Sequence, residues 1–141
     1  MTLSNTTMKL KKRLMKTQRV YLMNKFIFIV PLKITSALSL NKIYSGIFWA
    51  KRKKQKDDIK ALVKIALRGR KKIKFDKPVE IEMQFNSRLD VSNHAYIFKM
   101  IEDAIKELGI IKDDTDKYVK KCTMLKQKVF DGIVVCIMEY E

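Results

Sequence analysis

From Lys25 onward the apolar positions change period several times, and each period predicts an element. Phe26 to Leu32 is a run of aromatic and β-branched residues that Pro31 closes, and it reads as a strand. A loop carrying Ser36, Ser39 and Asn41 leads to Ile43-Tyr44-Ser45-Gly46. Trp49 to Leu67 reads as a helix: Ile59, Leu62, Val63, Ala66 and Leu67 recur at helical spacing, while Lys53, Lys56, Lys60 and Lys64 mark a charged side. Gly69 suits a terminator, and Arg68, Arg70, Lys71 and Lys72 complement the negative end of a helix dipole. Val79 to Phe85 alternates strictly, the period-2 mark of a strand with one buried face. A second helix is expected from Asn93 to Leu108, closed by Gly109. Tyr118 to Lys128 and Gly132 to Glu139 read as two further strands, with Asp131-Gly132 as a hairpin signal between them. The expected fold is therefore α+β, a small mixed β-sheet with two helices on one face in the order β-α-β-α-β-β.

A chain of 141 residues fits one domain. Residues 1–24 are polar and basic without clear periodicity and are expected to form an N-terminal extension, with residues 25–141 as the folded unit. Charge changes the picture more. Lys plus Arg number 31 against 15 Asp plus Glu, a formal net charge of +16, and no acidic residue occurs before Asp57. Such an excess favours an anionic partner, nucleic acid above all. The clusters Lys51, Arg52, Lys53, Lys54 and Arg68, Arg70, Lys71, Lys72 are the expected phosphate contacts, against the blander reading of a solvated basic surface.

No run approaches the ~18 apolar residues that cross a bilayer. Phe26–Val30 after a basic start imitates a secretory signal, but it is too short and interrupted, so no membrane association and a cytoplasmic location are expected. An organellar transit peptide stays open. The two cysteines, Cys122 and Cys136, match no zinc spacing, and His94 has no second histidine beside it. Both thiols are expected to pack as small apolar groups.

Candidate chemistry gathers between Arg88 and Asp116. Asp90 ends the alternating strand where the chain turns into the second helix. At ~100° per residue, Ser92, Tyr96, Lys99 and Asp103 share one face of that helix, opposite Ile97, Ile101, Ala104, Ile105 and Leu108. Asp113 and Asp114 follow the terminating Gly109. Carboxylates from a strand end, a helix and a loop are what a hard divalent cation requires. Read by pattern alone, Lys99 and Asp103 are equally an i,i+4 surface pair, and Asp113-Asp114 ordinary turn residues. His94 reads as a surface or capping neighbour rather than a base. Asn93 reads as a helix cap or a partner orienting Asp90, and Trp49 as core, with base stacking as its alternative.

Several of these residues stand in a recognisable order. Asp90-Val-Ser-Asn93, Lys99-Met-Ile-Glu-Asp103-Ala-Ile105, Gly109 and Asp113-Asp114 resemble the core of the RusA family of Holliday junction resolvases. Leu40-Asn-Lys-Ile-Tyr-Ser-Gly46 with Trp49-Ala-Lys-Arg52 is similar to a phage branch of that family, so the resemblance runs from about Phe26 to Val135. It implies a Mg²⁺-dependent endonuclease (Mn²⁺ as the alternative ion) that cuts branched DNA in recombination or repair, working as a homodimer. By carry-over Asp90 and Asp114 are metal carboxylates and Lys99 is the catalytic lysine. Two departures stand out. Ser92 replaces the second carboxylate of the Asp-x-Asp pair, leaving Asp103, Asp113 or Glu102 to substitute. The spacing from Asn93 to Lys99 is three residues longer than in better-known members, about 4.5 Å along a helix axis. These departures point to a second possibility, a family member that binds branched DNA with weakened or lost cleavage.

Overall fold

The computed structural model describes residues 25–46 and 48–140; the expected extension over residues 1–24 lies outside them. In chain order the elements are β1 (Lys25–Val30), a 3₁₀ turn at Ser36–Leu38, α1 (Leu40–Tyr44), α2 (Trp49–Ala66), β2 (Val79–Phe85), a 3₁₀ turn at Val91–His94, α3 (Ala95–Glu107), β3 (Val119–Lys126) and β4 (Ile133–Glu139). The strands make one mixed sheet in the order β1-β4-β2-β3, antiparallel except for the β2/β3 pair. The architecture is α+β, with the short α1 and its preceding turn added where a loop was expected.

The period-2 pattern builds the core directly. Register aligns Phe26, Ile137 and Ile81 in one row across β1, β4 and β2, then Phe28, Val135 and Met83, then Val30, Ile133 and Phe85. All nine are buried, and Ile59 and Val63 of α2 with Ile97, Ile101, Ala104 and Ile105 of α3 belong to the same core. Both long helices therefore cover one sheet face. The first turns of α2 escape this packing: residues 48 to 54 are all exposed. Trp49 is consequently a surface residue, 76% exposed, not the core residue its size suggested.

The Asp131-Gly132 signal does not make a hairpin. β2 lies between β3 and β4, so residues 127–132 cross over its end, spanning two strand spacings or about 10 Å. Gln127 N–H donates to the Phe85 carbonyl at 3.0 Å and Asn86 Nδ2 to the Phe130 carbonyl at 2.9 Å, which fastens the crossing to β2. Gly132 has φ +100°, and a Cβ there would run into the Val30 carbonyl oxygen. The glycine serves a close approach between strands rather than a two-residue turn.

His94 is fully buried, not a surface neighbour. Its ring stacks on Phe85 with centroids 4.3 Å apart and planes 14° from parallel. Nδ1 donates to the Val91 carbonyl at 3.0 Å, so Nε2 accepts from the Ser87 hydroxyl at 2.6 Å, and the ring is neutral. The imidazole thus ties the start of α3 to the end of β2. Burial drives its pKa below the ordinary 6.5, which the hydrogen bond to the Val91 carbonyl only partly opposes. The helix starts at Ala95 rather than Asn93, and no side chain caps it.

Two outcomes follow. Gly132→Ala should lower unfolding free energy by more than about 1 kcal/mol in urea denaturation, since both its φ and its clearance exclude a Cβ. Because the folded imidazole resists protonation, the stability it supports is complete above pH 6.5 and declines as the pH falls below that value. His94 is the only histidine in the chain. The melting temperature should therefore fall between pH 7 and pH 5, and His94→Gln should flatten that slope.

Candidate functional site

A face of α3 and the loop after it form a dense charged cluster. Lys99, Glu102, Asp103 and Lys106 stand at i, i+3, i+4 and i+7, one stripe of a helix. The helix then ends in a tight motif: Ile110 N–H donates to the Ile105 carbonyl at 3.1 Å and Gly109 N–H to the Lys106 carbonyl at 3.0 Å, with Gly109 at φ +80°. Ile110 and Ile111 are buried beyond it, and Phe75 pairs with Ile111 as an isolated bridge. This anchorage turns the chain back, so Asp113 and Asp114 lie against the stripe.

Lys99 is the hub. Its ammonium lies 2.5 Å from Asp114 Oδ2, 3.0 Å from Glu102 Oε1 and 3.4 Å from Asp103 Oδ1. Lys106 reaches Asp113 at 3.4 Å and Asp114 at 3.5 Å. From α2, Lys56 approaches Asp103 at 3.8 Å and Glu107 at 3.6 Å, and Lys60 meets Glu107 at 2.6 Å. A register shift between Val79 and Glu80 brings Cys122 opposite Ile81, on the helix side of the sheet, where its Sγ is 3.7 Å from Glu102 Oε2. Cys122 is therefore exposed beside the cluster, while Cys136 is buried as expected.

These contacts set protonation. The Lys99 hydrogen bond comes first in holding the Asp114 carboxyl well below the usual range; the Asp113 side chain and the charges of Lys99 and Lys106 add to it against partial desolvation. Desolvation alone would lower the Lys99 pKa, but hydrogen bonds to Asp114 and Glu102 and the charges of Glu102 and Asp103 outweigh it and raise the pKa above the ordinary value. Near neutral pH both groups are charged. Lys99 is thus a fixed positive charge and not a proton acceptor.

Of the residues expected from sequence, Lys99, Asp103, Asp113 and Asp114 come together. Asp90 and Ser92 are exposed and stand at the other end of the 3₁₀ turn, and Asp90 makes no ion pair among the described residues. The rest of that turn and the first turn of α3 separate Asp90 from Lys99 along the chain. The donor chemistry suits a hard cation: three carboxylate oxygens from three residues already converge on one positive centre. That centre is the Lys99 ammonium, and among the described residues no three His, Cys, Asp or Glu are placed to hold a metal ion.

The basic clusters are exposed. Lys51, Arg52, Lys53 and Lys54 occupy the protruding start of α2; Arg68, Arg70, Lys71 and Lys72 follow its other end, the helix being about 27 Å long. A groove of about 1170 Å³ runs under the sheet end, with Lys33, Arg88, Lys126 and Lys128 among its walls. These four cations, like Lys106, carry no assignment from the sequence, whereas Glu102 was expected only as a substitute ligand. Glu102 and Lys106 carried a signal in their i+3 and i+7 spacing from Lys99; the groove cations come from three separate segments and carried none. Among the described residues no helix is long and apolar enough to cross a membrane. Comparison with protein-family models and with curated proteins returns no match.

Removing the hub should cost stability in a pH-dependent way. Lys99→Met leaves Glu102, Asp103 and Asp114 facing one another, and should destabilise by about 1 kcal/mol at pH 7, a value kept small because the ammonium is half-exposed. The contribution of Asp114 is present above its ordinary 3.8 and lost as the pH falls through its lower folded value. The deficit seen in thermal melts should therefore shrink at pH 3.

Proposed function

We propose that this protein is a structure-selective endonuclease that cleaves branched DNA, Holliday junctions in the first place, by Mg²⁺-dependent phosphodiester hydrolysis in recombination or repair. The observation that carries this reading is the meeting of Lys99 and Asp114, 15 residues apart in sequence and 2.5 Å apart in space. These are two of the three residues that the RusA resemblance singles out for catalysis. The exposed cations at both ends of α2 and along the sheet-end groove support the DNA partner, since together they suit phosphates of more than one arm.

Within this reading Asp114, with Asp103 and Asp113 beside it, would hold the cation, whereas Asp90, which the resemblance makes a ligand, stands at the far end of the 3₁₀ turn. Mg²⁺ bound there would polarise the phosphoryl oxygens and lower the pKa of a bound water. Lys99, permanently protonated, would stabilise negative charge building on the phosphate. Asp114, permanently ionised, would remain a ligand rather than act as an acid. Symmetric cutting needs two such sites, hence a homodimer working in the cytoplasm.

A second reading, binding of branched DNA without cutting, is favoured by two observations. Ser92 stands where an acid was expected, and Asp90 is outside the Lys99 cluster. One assay separates the two. Incubated with an end-labelled four-way junction and Mg²⁺, the full chain should nick opposite strands symmetrically, and Asp114→Asn should slow this by about 100-fold or more while leaving junction affinity unchanged. Retention of the junction without nicking in either Mg²⁺ or Mn²⁺ would select the binder. Failure to retain it would reject both.

A further inference from the structure

Three large aromatic side chains are exposed within six positions of one another: Tyr44 at 79%, Phe48 at 88% and Trp49 at 76%. Water-facing rings of this size in one short segment mark a surface that something apolar covers. Trp49 also lines a groove of about 400 Å³ between α2 and α3, whose other walls are Arg52, Lys53, Lys56, Tyr96, Lys99, Met100 and Asp103. The floor is apolar and aromatic, and the α2 wall is cationic. The Lys53 ammonium stands 5.8 Å from the centre of the Trp49 ring. Of the acids nearby, Asp58 pairs with Lys54, and Asp103 with Lys56 and Lys99.

From this combination we propose that the α2–α3 groove is a subsite for an unpaired nucleotide, with its base stacked on Trp49 and its phosphates met by Arg52 and Lys53. The chemistry discriminates among occupants. A base offers a flat π-face to an indole and carries its own anionic link, so ring and cations are satisfied together. A base pair inside a continuous duplex offers no free face. The groove leads from Trp49 to Lys99 and Asp103, so a strand held there by an unpaired base runs toward the charged cluster. The preference for branched over fully paired DNA would arise from this subsite, and in that respect the inference rests on the nucleic-acid reading above.

Trp49 is the only tryptophan in the chain, so its emission reports on this site alone. The full chain should be titrated with a single-stranded oligonucleotide and with a blunt duplex of the same length, following tryptophan fluorescence and the anisotropy of a labelled strand. The single strand should quench the emission, whereas the duplex should bind without quenching. Trp49→Ala should weaken single-strand binding about tenfold and leave duplex binding unchanged, as expected for the loss of one stacked base. Single-strand binding without quenching, or unaltered by Trp49→Ala, would overturn the subsite and leave the nucleic-acid reading standing. Binding of neither oligonucleotide would overturn both.

Discussion

A single ammonium draws together parts of the chain that would otherwise repel. Glu102 and Asp103 sit adjacent on α3, Asp114 arrives from the following loop, and each places an oxygen within 3.4 Å of Lys99 Nζ. Without that charge three carboxylates would crowd one surface, one of them on the largely buried Glu102. With it, the loop after α3 is fastened to the helix, and the protonation states of both Lys99 and Asp114 are fixed. The apolar turn formed by Ile105, Gly109 and Ile110 delivers the loop to the right place, and the ion pairs then hold its acidic residues there. Packing and electrostatics therefore act in series at this site.

The same view explains why the charged region is divided. Most of the ion pairs among the described residues lie along α3 and its loop, where lysines of α2 and α3 neutralise the acids. The start of α2 and the segment after it keep their cations exposed. On the proposed reading, a phosphate backbone would meet the exposed cations first, and the groove between the helices leads from them to the compensated cluster.

Much of the fold could be read from hydrophobic period. The alternation from Val79 to Phe85 and the helical stripe from Ile97 to Ile105 each became the element expected, because local period and tertiary burial agree there. Strand order was not legible. Asp131-Gly132 is a strong local turn signal, yet Gly132 answers to the neighbouring Val30 backbone, and only long-range packing decides that β2 lies between β3 and β4. Trp49 and His94 were misread for a related reason. Side-chain type suggests burial for tryptophan and exposure for histidine, but α2 projects past the sheet while the imidazole finds both its hydrogen-bond partners under it. Of the candidate site, Lys99, Asp103, Asp113 and Asp114 were legible by spacing. The separation of Asp90 was not, because it depends on a 3₁₀ turn that the sequence pattern had merged into the helix.

Whether the Lys99 cluster is a cation site can be measured without any substrate. Substoichiometric Mn²⁺ added to isotope-labelled protein broadens the amide signals nearest the bound ion. Selective broadening is expected at Asp103, Asp113 and Asp114, suppressed by Asp114→Asn. Broadening centred elsewhere, or none at these residues, would contradict a cation site there.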